Sequence, residues 1–240
     1  MSVTPPDFPY LTAVNAYGFY CIPETFRKRE VSKLLMNGKI NEPRTLQLIQ
    51  QFVRDGDIVS GGAFVGDFLP IMSRSLKGDA MLHSFEPNPV GYAATSMTLA
   101  LNDLKNVRLS PVAVGSEQAI LPLQVSNAAG VAMGGTSKIV EQASDGQTID
   151  VEITRIDDLV PKDRRVSVLQ LDVEGYEWPA IEGAAATIRA GHPLIVLETL
   201  AAQDPKEVEA KLQELCPEAG YTLMGMMERN AFYKPVKLGT

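Results

Sequence analysis

The chain has 240 residues, 45% of them hydrophobic and 21% charged, with a net charge of −7. Such a length buries a substantial core without cross-links, and the acidic balance leaves no basic footprint for nucleic acid and no attraction to an anionic lipid surface. Two cysteines, Cys21 and Cys216, and two histidines, His83 and His192, exclude a disulfide framework and a histidine-rich metal site. The opening stretch MSVTPPDFPY has neither the basic nor the apolar part of a signal peptide. No apolar run is long enough to span a bilayer, so a cytoplasmic protein is expected.

Residues 1–14 are rich in proline and expected to be extended. From Pro23 to Phe52 the pattern is helical, with Val31, Leu34 and Leu35 on one face and Leu46, Ile49, Phe52 and Val53 repeating the spacing. Breaks at Asn37-Gly38 and Pro43 predict two helices, which form a helical cap ahead of the first strand. Strands are then expected at Asp57 to Ser60, Ala80 to Phe85, Val107 to Val114, Val166 to Leu171 and Leu194 to Leu197. Helices are expected at Asp67 to Lys77, Asn88 to Asn102, Trp178 to Ala190 and Pro205 to Leu215. Leu121 to Val125 and Ile149 to Ile153 read as added β segments, and Tyr221 to Met227 with Ala231 to Lys234 as a closing hairpin. Alternating strands and helices predict a parallel sheet covered on both faces.

The turn Ser60-Gly61-Gly62-Ala63-Phe64-Val65-Gly66-Asp67 joins the first strand to its helix. Glycine permits positive φ and close approach of a ligand, and a helix start offers free N–H groups. A dinucleotide fingerprint wants glycine at 61, 63 and 66, and position 63 is alanine. Taken alone, the turn is also readable as a ligand-free strand–helix connection. The second strand ends in Phe85-Glu86-Pro87-Asn88-Pro89, with Glu86 about 20 residues past the turn, where an acid binds ribose hydroxyls. The fourth strand runs into Asp172-Val173-Glu174-Gly175, and the fifth ends at Glu198. In open α/β sheets ligands bind at the carboxyl ends of the strands, so Asp172, Glu174 and Glu198 are candidate catalytic groups.

These pieces, with Val112-Ala113-Val114-Gly115, Thr154-Arg155-Ile156-Asp157-Asp158-Leu159, Glu177, Glu182-Gly183-Ala184 and Ile195-Val196-Leu197, resemble the signature of the FkbM-type methyltransferases. Those are S-adenosylmethionine-dependent enzymes that mostly methylate oxygen. The resemblance covers about Asp57 to Glu198. It implies an α/β fold of class I methyltransferase type: a Rossmann-like, mostly parallel sheet with a C-terminal antiparallel hairpin and an N-terminal helical cap. Residues 1–54 are then the extension and cap, and 55–240 the cofactor-binding domain. It implies a cofactor held by Ser60, Gly61, Gly62, Ala63, Phe64, Gly66, Asp67, Glu86, Asn88, Ala113 and Asp172, with Glu86 on the ribose and Val112 to Val114 beside the adenine. The family usually has aspartate where Ser60 stands and asparagine where Phe64 stands, so Asp67 or Asp172 supplies the missing negative charge. The reading requires a nucleoside-sized hollow that Phe64 does not plug.

Methyl transfer to an alcohol needs alignment and a base for the departing proton. Asp172 is assigned to cofactor orientation or base, and Glu174 is the second candidate base or a helix cap. Glu177 is expected to face solvent or pair locally. His83 reads as packing, and His192 lies at the wrong end of the sheet. Trp178 reads as core, and Tyr176 reaches the mouth. The loop Asn127 to Gly146 reads as either a lid or a solvated loop, and Tyr17, Tyr20, Arg27 and Lys28 as a substrate wall. The expected partner is a small molecule such as a sugar or natural product, with no nucleic acid and no membrane. No metal is assigned, although clustered acids such as Asp172 and Glu198 permit one. Two alternatives stay open: an NAD-dependent oxidoreductase, and a non-catalytic nucleoside-binding relic.

Overall fold

Strands buried on both faces read as unbroken apolar runs, and three such runs make the centre of this molecule. Every residue of β3 (Asp57–Gly61), β10 (Val166–Leu171) and β11 (Leu194–Glu198) is buried. The computed structural model describes residues 5–140, 145–199 and 204–236. Around the central strands lie β1 (Tyr10–Asn15), β2 (Gly18–Pro23), α1 (Glu30–Met36), α2 (Pro43–Phe52), α3 (Leu69–Ser75), β4 (Leu82–Phe85), α4 (Pro89–Leu101) and β5 (Val107–Ser110). Next come β6 (Ala113–Val114), β7 (Ala119–Gln124), β8 (Lys138–Ile139), β9 (Thr148–Thr154) and α5 (Ile156–Leu159). After β10 follow α6 (Glu177–Glu182) and α7 (Ala185–Gly191), and after β11 come α8 (Pro205–Leu215), β12 (Thr222–Met227) and β13 (Asn230–Lys234). None of the described helices is long and apolar enough to cross a membrane.

The main sheet has seven strands in the order β12-β13-β11-β10-β3-β4-β5. Within it β5, β4, β3, β10 and β11 run parallel, and β13 lies antiparallel to both β11 and β12. From β3 the chain steps outward through β4 to β5, then returns to the other side of β3 with β10. The reversal places a switch point between β3 and β10, where ligands bind in such sheets. One face of the sheet packs on Leu46, Ile49, Leu69 and Met72 from α2 and α3. The other packs on Ala180, Ile181, Ile188 and Leu212 from α6, α7 and α8. Each such buried Leu or Ile contributes about 1.5–3 kcal/mol.

Helix starts follow local chemistry. Asn88 caps α4, its Oδ1 accepting from Val90 N and Gly91 N, and Pro89 follows where a missing N–H costs nothing. Asp204 and Pro205 open α8 in the same way. Helix α7 is capped from elsewhere: Asp157 accepts from Ala186 N at 3.0 Å and Thr187 N at 2.8 Å. That assigns a structural role to the Thr154–Leu159 segment.

Three sequence expectations need correction. Residues 10–23 form an antiparallel hairpin, so the extended opening stretch pairs with a second strand, Gly18–Pro23, where the sequence predicts no element. Its anchor is Asn102 at the end of α4, which accepts from Phe19 N at 3.0 Å and donates to Phe19 O at 2.6 Å. The expected strand Val107 to Val114 is two: Pro111 lacks the N–H a ladder needs, so β5 ends, and β6 joins a second sheet, β6-β9-β7-β8. The expected helix Trp178 to Ala190 breaks between α6 and α7, because Gly183 lies against Gly115. A Cβ there would stand 1.9 Å from the Gly115 carbonyl oxygen.

Candidate active site

At the switch point the carboxyl ends of β3, β4, β10 and β11 open into a cavity of about 330 Å³. Its floor is the turn after β3. Gly62, at φ +85°, is obligatory there, since a Cβ would stand 1.8 Å from the Asp172 carbonyl oxygen. Phe64 also has positive φ, at 52°, and its ring packs on Phe26 with centroids 5.5 Å apart, against Gly134 and Gly135. The ring forms a wall and leaves the hollow open. Phe85, Pro87, Val112, Ala113 and Val114 make an apolar slot beside it.

Glu86 stands in this cavity at 6% exposure. Its Oε2 accepts from Phe64 N at 2.6 Å and its Oε1 from Asn88 N at 2.9 Å. Burial pushes its carboxyl up to about 7 despite those two donors. On the other side of β3, Asp172, Glu174 and Glu198 face the same space. Burial, then the neighbouring Glu198, raises the Asp172 carboxyl well above its ordinary value. The same causes in the same order bring Glu174 up to about 7. Asp67 lines the wall, accepts from Asn41 Nδ2 at 3.1 Å, and is raised by burial to about 6.

Of the expected residues, Ser60, Gly62, Ala63, Phe64, Asp67, Glu86, Ala113, Asp172, Glu174 and Glu198 line one cavity. Gly61, Gly66 and Asn88 do not. A Cβ on Gly61 would face Leu171 and Val173, and one on Gly66 would face Thr95 and Thr98 of α4. Asn88 spends its side-chain oxygen on the α4 cap.

A sequence model of the methyltransferase FkbM domain matches residues 60–223. The chain belongs to the FkbM methyltransferase family. Methyltransferase sdnD of Sordaria araneosa is 27% identical over 194 residues, covering 69% of this chain and 73% of that protein. Methyltransferase 1 of Beauveria bassiana (strain ARSEF 2860) is 26% identical over 152 residues, covering 56% of this chain. The chain spans 61% of that relative's length. Among solved structures, the FkbM methyltransferase of Methylobacillus flagellatus KT superposes with a TM-score of 0.55 at 16% identity, covering 75% of this chain and 43% of that one. M. jannaschii TYW2 in complex with AdoMet superposes with a TM-score of 0.52 at 9% identity, covering 97% and 90%. These likenesses show the class I methyltransferase fold.

In this FkbM-family chain several site residues escaped the sequence reading. Gln170, buried in β10, accepts from Ser60 Oγ at 2.6 Å across the switch point. A glutamine inside an apolar strand was the available signal. Glu177 takes the local pairing that is one of its two expected roles: it is 2% exposed, and its Oε1 accepts from Val173 N and Gly175 N, both at 3.1 Å. It therefore braces the turn carrying Asp172 and Glu174. Glu174 itself, at φ 55°, lies in the cavity wall, and α6 has no side-chain cap.

The upper wall comes from Arg29, Glu30, Val31 and Arg229, with Tyr176 and residues 134–137. Tyr17, Tyr20, Arg27 and Lys28 are absent from it. Tyr20 is fully buried in the hairpin, and Arg27 pairs with Glu24 at the surface. Of the described part of the loop Asn127 to Gly146, residues 127–131 are exposed and only Gly134 is buried, while Arg29 donates to the Ala132 carbonyl and β8 pairs with β7. Its residues 141–144 lie outside the described residues.

Proposed function

We propose that this chain binds S-adenosylmethionine and methylates a hydroxyl oxygen of a small molecule such as a sugar or natural product. The observation that carries the reading is one cavity holding Glu86 on one side of β3 and the Asp172, Glu174 and Glu198 carboxylates on the other. The residues present fit the cofactor. A carboxylate has about four acceptor sites, and Glu86 uses two on backbone N–H groups, so both ribose hydroxyls can donate to it. The apolar slot suits a flat base. Asp67 and Asp172 supply acidic side chains where Ser60 has none, and a bound ammonium and sulfonium would draw them to the ionised form. The bare backbone of Gly62 lets the ligand lie close.

When bound, S-adenosylmethionine supplies a methyl group on a positively charged sulfur, which keeps the bonding electron pair as the carbon leaves. The chain's own residues do the rest. Asp172 accepts a hydrogen bond from the acceptor hydroxyl and takes its proton as the oxygen gains carbon. Glu174 and Glu198 fix the acceptor beside it. Residues 1–54 act as a cap on the domain 55–240, contributing Arg29, Glu30, Val31 and Asn41 to the wall.

Calorimetry with S-adenosylmethionine, S-adenosylhomocysteine and NAD tests the reading. Micromolar binding of the first two is expected, weakened at least about tenfold by Glu86→Ala, the loss typical of hydrogen bonds to a charged group. No binding of either ends the reading, and binding of NAD alone replaces it. Mass spectrometry of mixtures with sugar and polyol acceptors then shows whether oxygen is the atom methylated.

A further inference from the structure

The carboxylates beside the acceptor position have only exposed counter-charges, Arg229 and Lys138. One oxygen from each of Asp172, Glu174 and Glu198 lies within 4.8 Å of the others. Three like charges at that spacing repel strongly away from bulk water. Arg229 Nη1 stands 3.6 Å from Glu198 Oε1, but the arginine is 69% exposed and is shared with Glu42. The inner oxygen is different. Glu198 Oε2 is shut off from solvent and has no hydrogen-bond partner among the described residues by distance and angle, in a residue only 6% exposed. Its neighbour Asp172 interacts with Glu198 only by holding a proton between the two carboxyls, and once ionised it is an acceptor that leaves a donor wanting. A buried carboxylate oxygen left without a donor is costly, so its presence in a cavity wall marks the place of a positive ligand.

We propose that Asp172, Glu174 and Glu198 bind one divalent cation of the magnesium, manganese or calcium class, which holds the acceptor's hydroxyl oxygen. The acceptor's role rests on the methyl-transfer reading above. Hard cations take oxygen ligands at about 2.0–2.6 Å, so oxygens on opposite sides of one ion stand about 4–5 Å apart. The observed limit of 4.8 Å fits a single ion. Three carboxylates, with no histidine or cysteine in the group, select a hard cation over zinc or copper. They leave part of a shell of about six ligands open for water and the acceptor. A cation-bound hydroxyl releases its proton more readily. One Asp172 oxygen goes to the ion, and the other stays free to take that proton. The site supplies the ion that the sequence leaves unassigned but that its clustered acids permit.

The test uses the full chain, stripped with a chelator and titrated with Mn²⁺ by electron paramagnetic resonance. Calorimetry with S-adenosylhomocysteine runs in parallel. The expected result is one Mn²⁺ per chain, displaced by Mg²⁺. Glu198→Gln and Glu174→Gln each weaken it by about tenfold or more, at least the cost of losing an outer-shell partner. Thermal midpoints confirm that both variants fold. Glu207→Gln, an exposed acid of α8 outside the cavity, binds Mn²⁺ as the wild type does. Absence of saturable Mn²⁺ binding to the wild type overturns the cation site, and so does equal binding in a folded Glu198→Gln. The two readings fail separately. If S-adenosylhomocysteine binds and Mn²⁺ does not, the cation site alone falls. If Mn²⁺ binds and the nucleoside does not, methyl transfer falls and the cation site stands.

Discussion

Both ends of the parallel sheet bury carboxylates, and they treat them in opposite ways. At the amino end Asp57 is 2% exposed and surrounded by donors. Arg164 reaches it at 2.5 and 2.7 Å, Met81 N at 2.9 Å, and His83 Nε2 at 2.8 Å, where an ionised carboxylate requires the ring to donate. Burial alone would raise that carboxyl, but the hydrogen bonds from His83 and Arg164 outweigh it and hold the group well below the usual range. At the carboxyl end burial raises Glu86, Asp172 and Glu174, and few donors oppose it. Burial is common to both ends, so the supply of donors separates a structural acid from one held ready for a ligand.

The largest effect should come from the satisfied end. Asp57→Ala strands Arg164 and His83 without their carboxylate, and loss of one partner from such a buried pair costs about 3–5 kcal/mol. Urea denaturation at neutral pH reads this, with affinity for S-adenosylhomocysteine unchanged below the transition. The pH dependence has a definite sign. The folded carboxyl lies below its ordinary 3.8, so its stabilisation is complete above that value and fades as the pH falls below it.

The reverse is expected of Asp172→Asn. Loss of a general base lowers turnover by about 100-fold or more, while the thermal midpoint holds or rises because a repelled charge has gone. A fall in stability comparable to that of Asp57→Ala would erase the contrast. Glu86 gives a smaller, graded effect. Its folded carboxyl, raised to about 7 from an ordinary 4.5, stabilises the ligand-free protein below 4.5 and loses that contribution as the pH climbs to about 7. Ribose hydroxyls donate to the ionised form, so cofactor affinity moves the other way. It should rise about tenfold across this window, damped because a protonated carboxyl still accepts through one oxygen. Glu86→Gln should flatten the titration.

The sequence exposes one side of this contrast better than the other. Apolar runs ending in acids place Glu86, Asp172, Glu174 and Glu198 at strand ends, because strand period and turn chemistry are local. The donors are not local. Asp57 meets Arg164 across 107 positions, and the hairpin β1–β2 is pinned by Asn102, 83 positions from Phe19. Nothing near Pro9 or Tyr20 announces that partner. Gly183 likewise reads as a tolerable helix residue until Gly115 is found against it. Glu177 and Gln170 carry visible signals, a third acid in a short turn and a polar residue in an apolar strand, yet their partners identify them as braces.

Glu228 separates donor supply from position, which the other variants confound. It lies beside the carboxyl end of the sheet, in the β12–β13 turn, near the acids that lack partners. It is nonetheless satisfied: Arg44 N and Thr45 N at the start of α2 donate to it at 3.3 and 2.8 Å, from 184 and 183 positions away. Pro43 has no N–H to offer, so this carboxylate meets two of the free donors at that helix end and the positive end of its dipole. If donor supply governs, Glu228→Ala behaves as a weak Asp57→Ala. Stability falls by about 1 kcal/mol, the usual cost of a lost helix cap, and affinity for S-adenosylhomocysteine stays within about twofold. The opposite pattern, intact stability with lost affinity, would mean that the end of the sheet an acid occupies decides its role, whatever donors surround it.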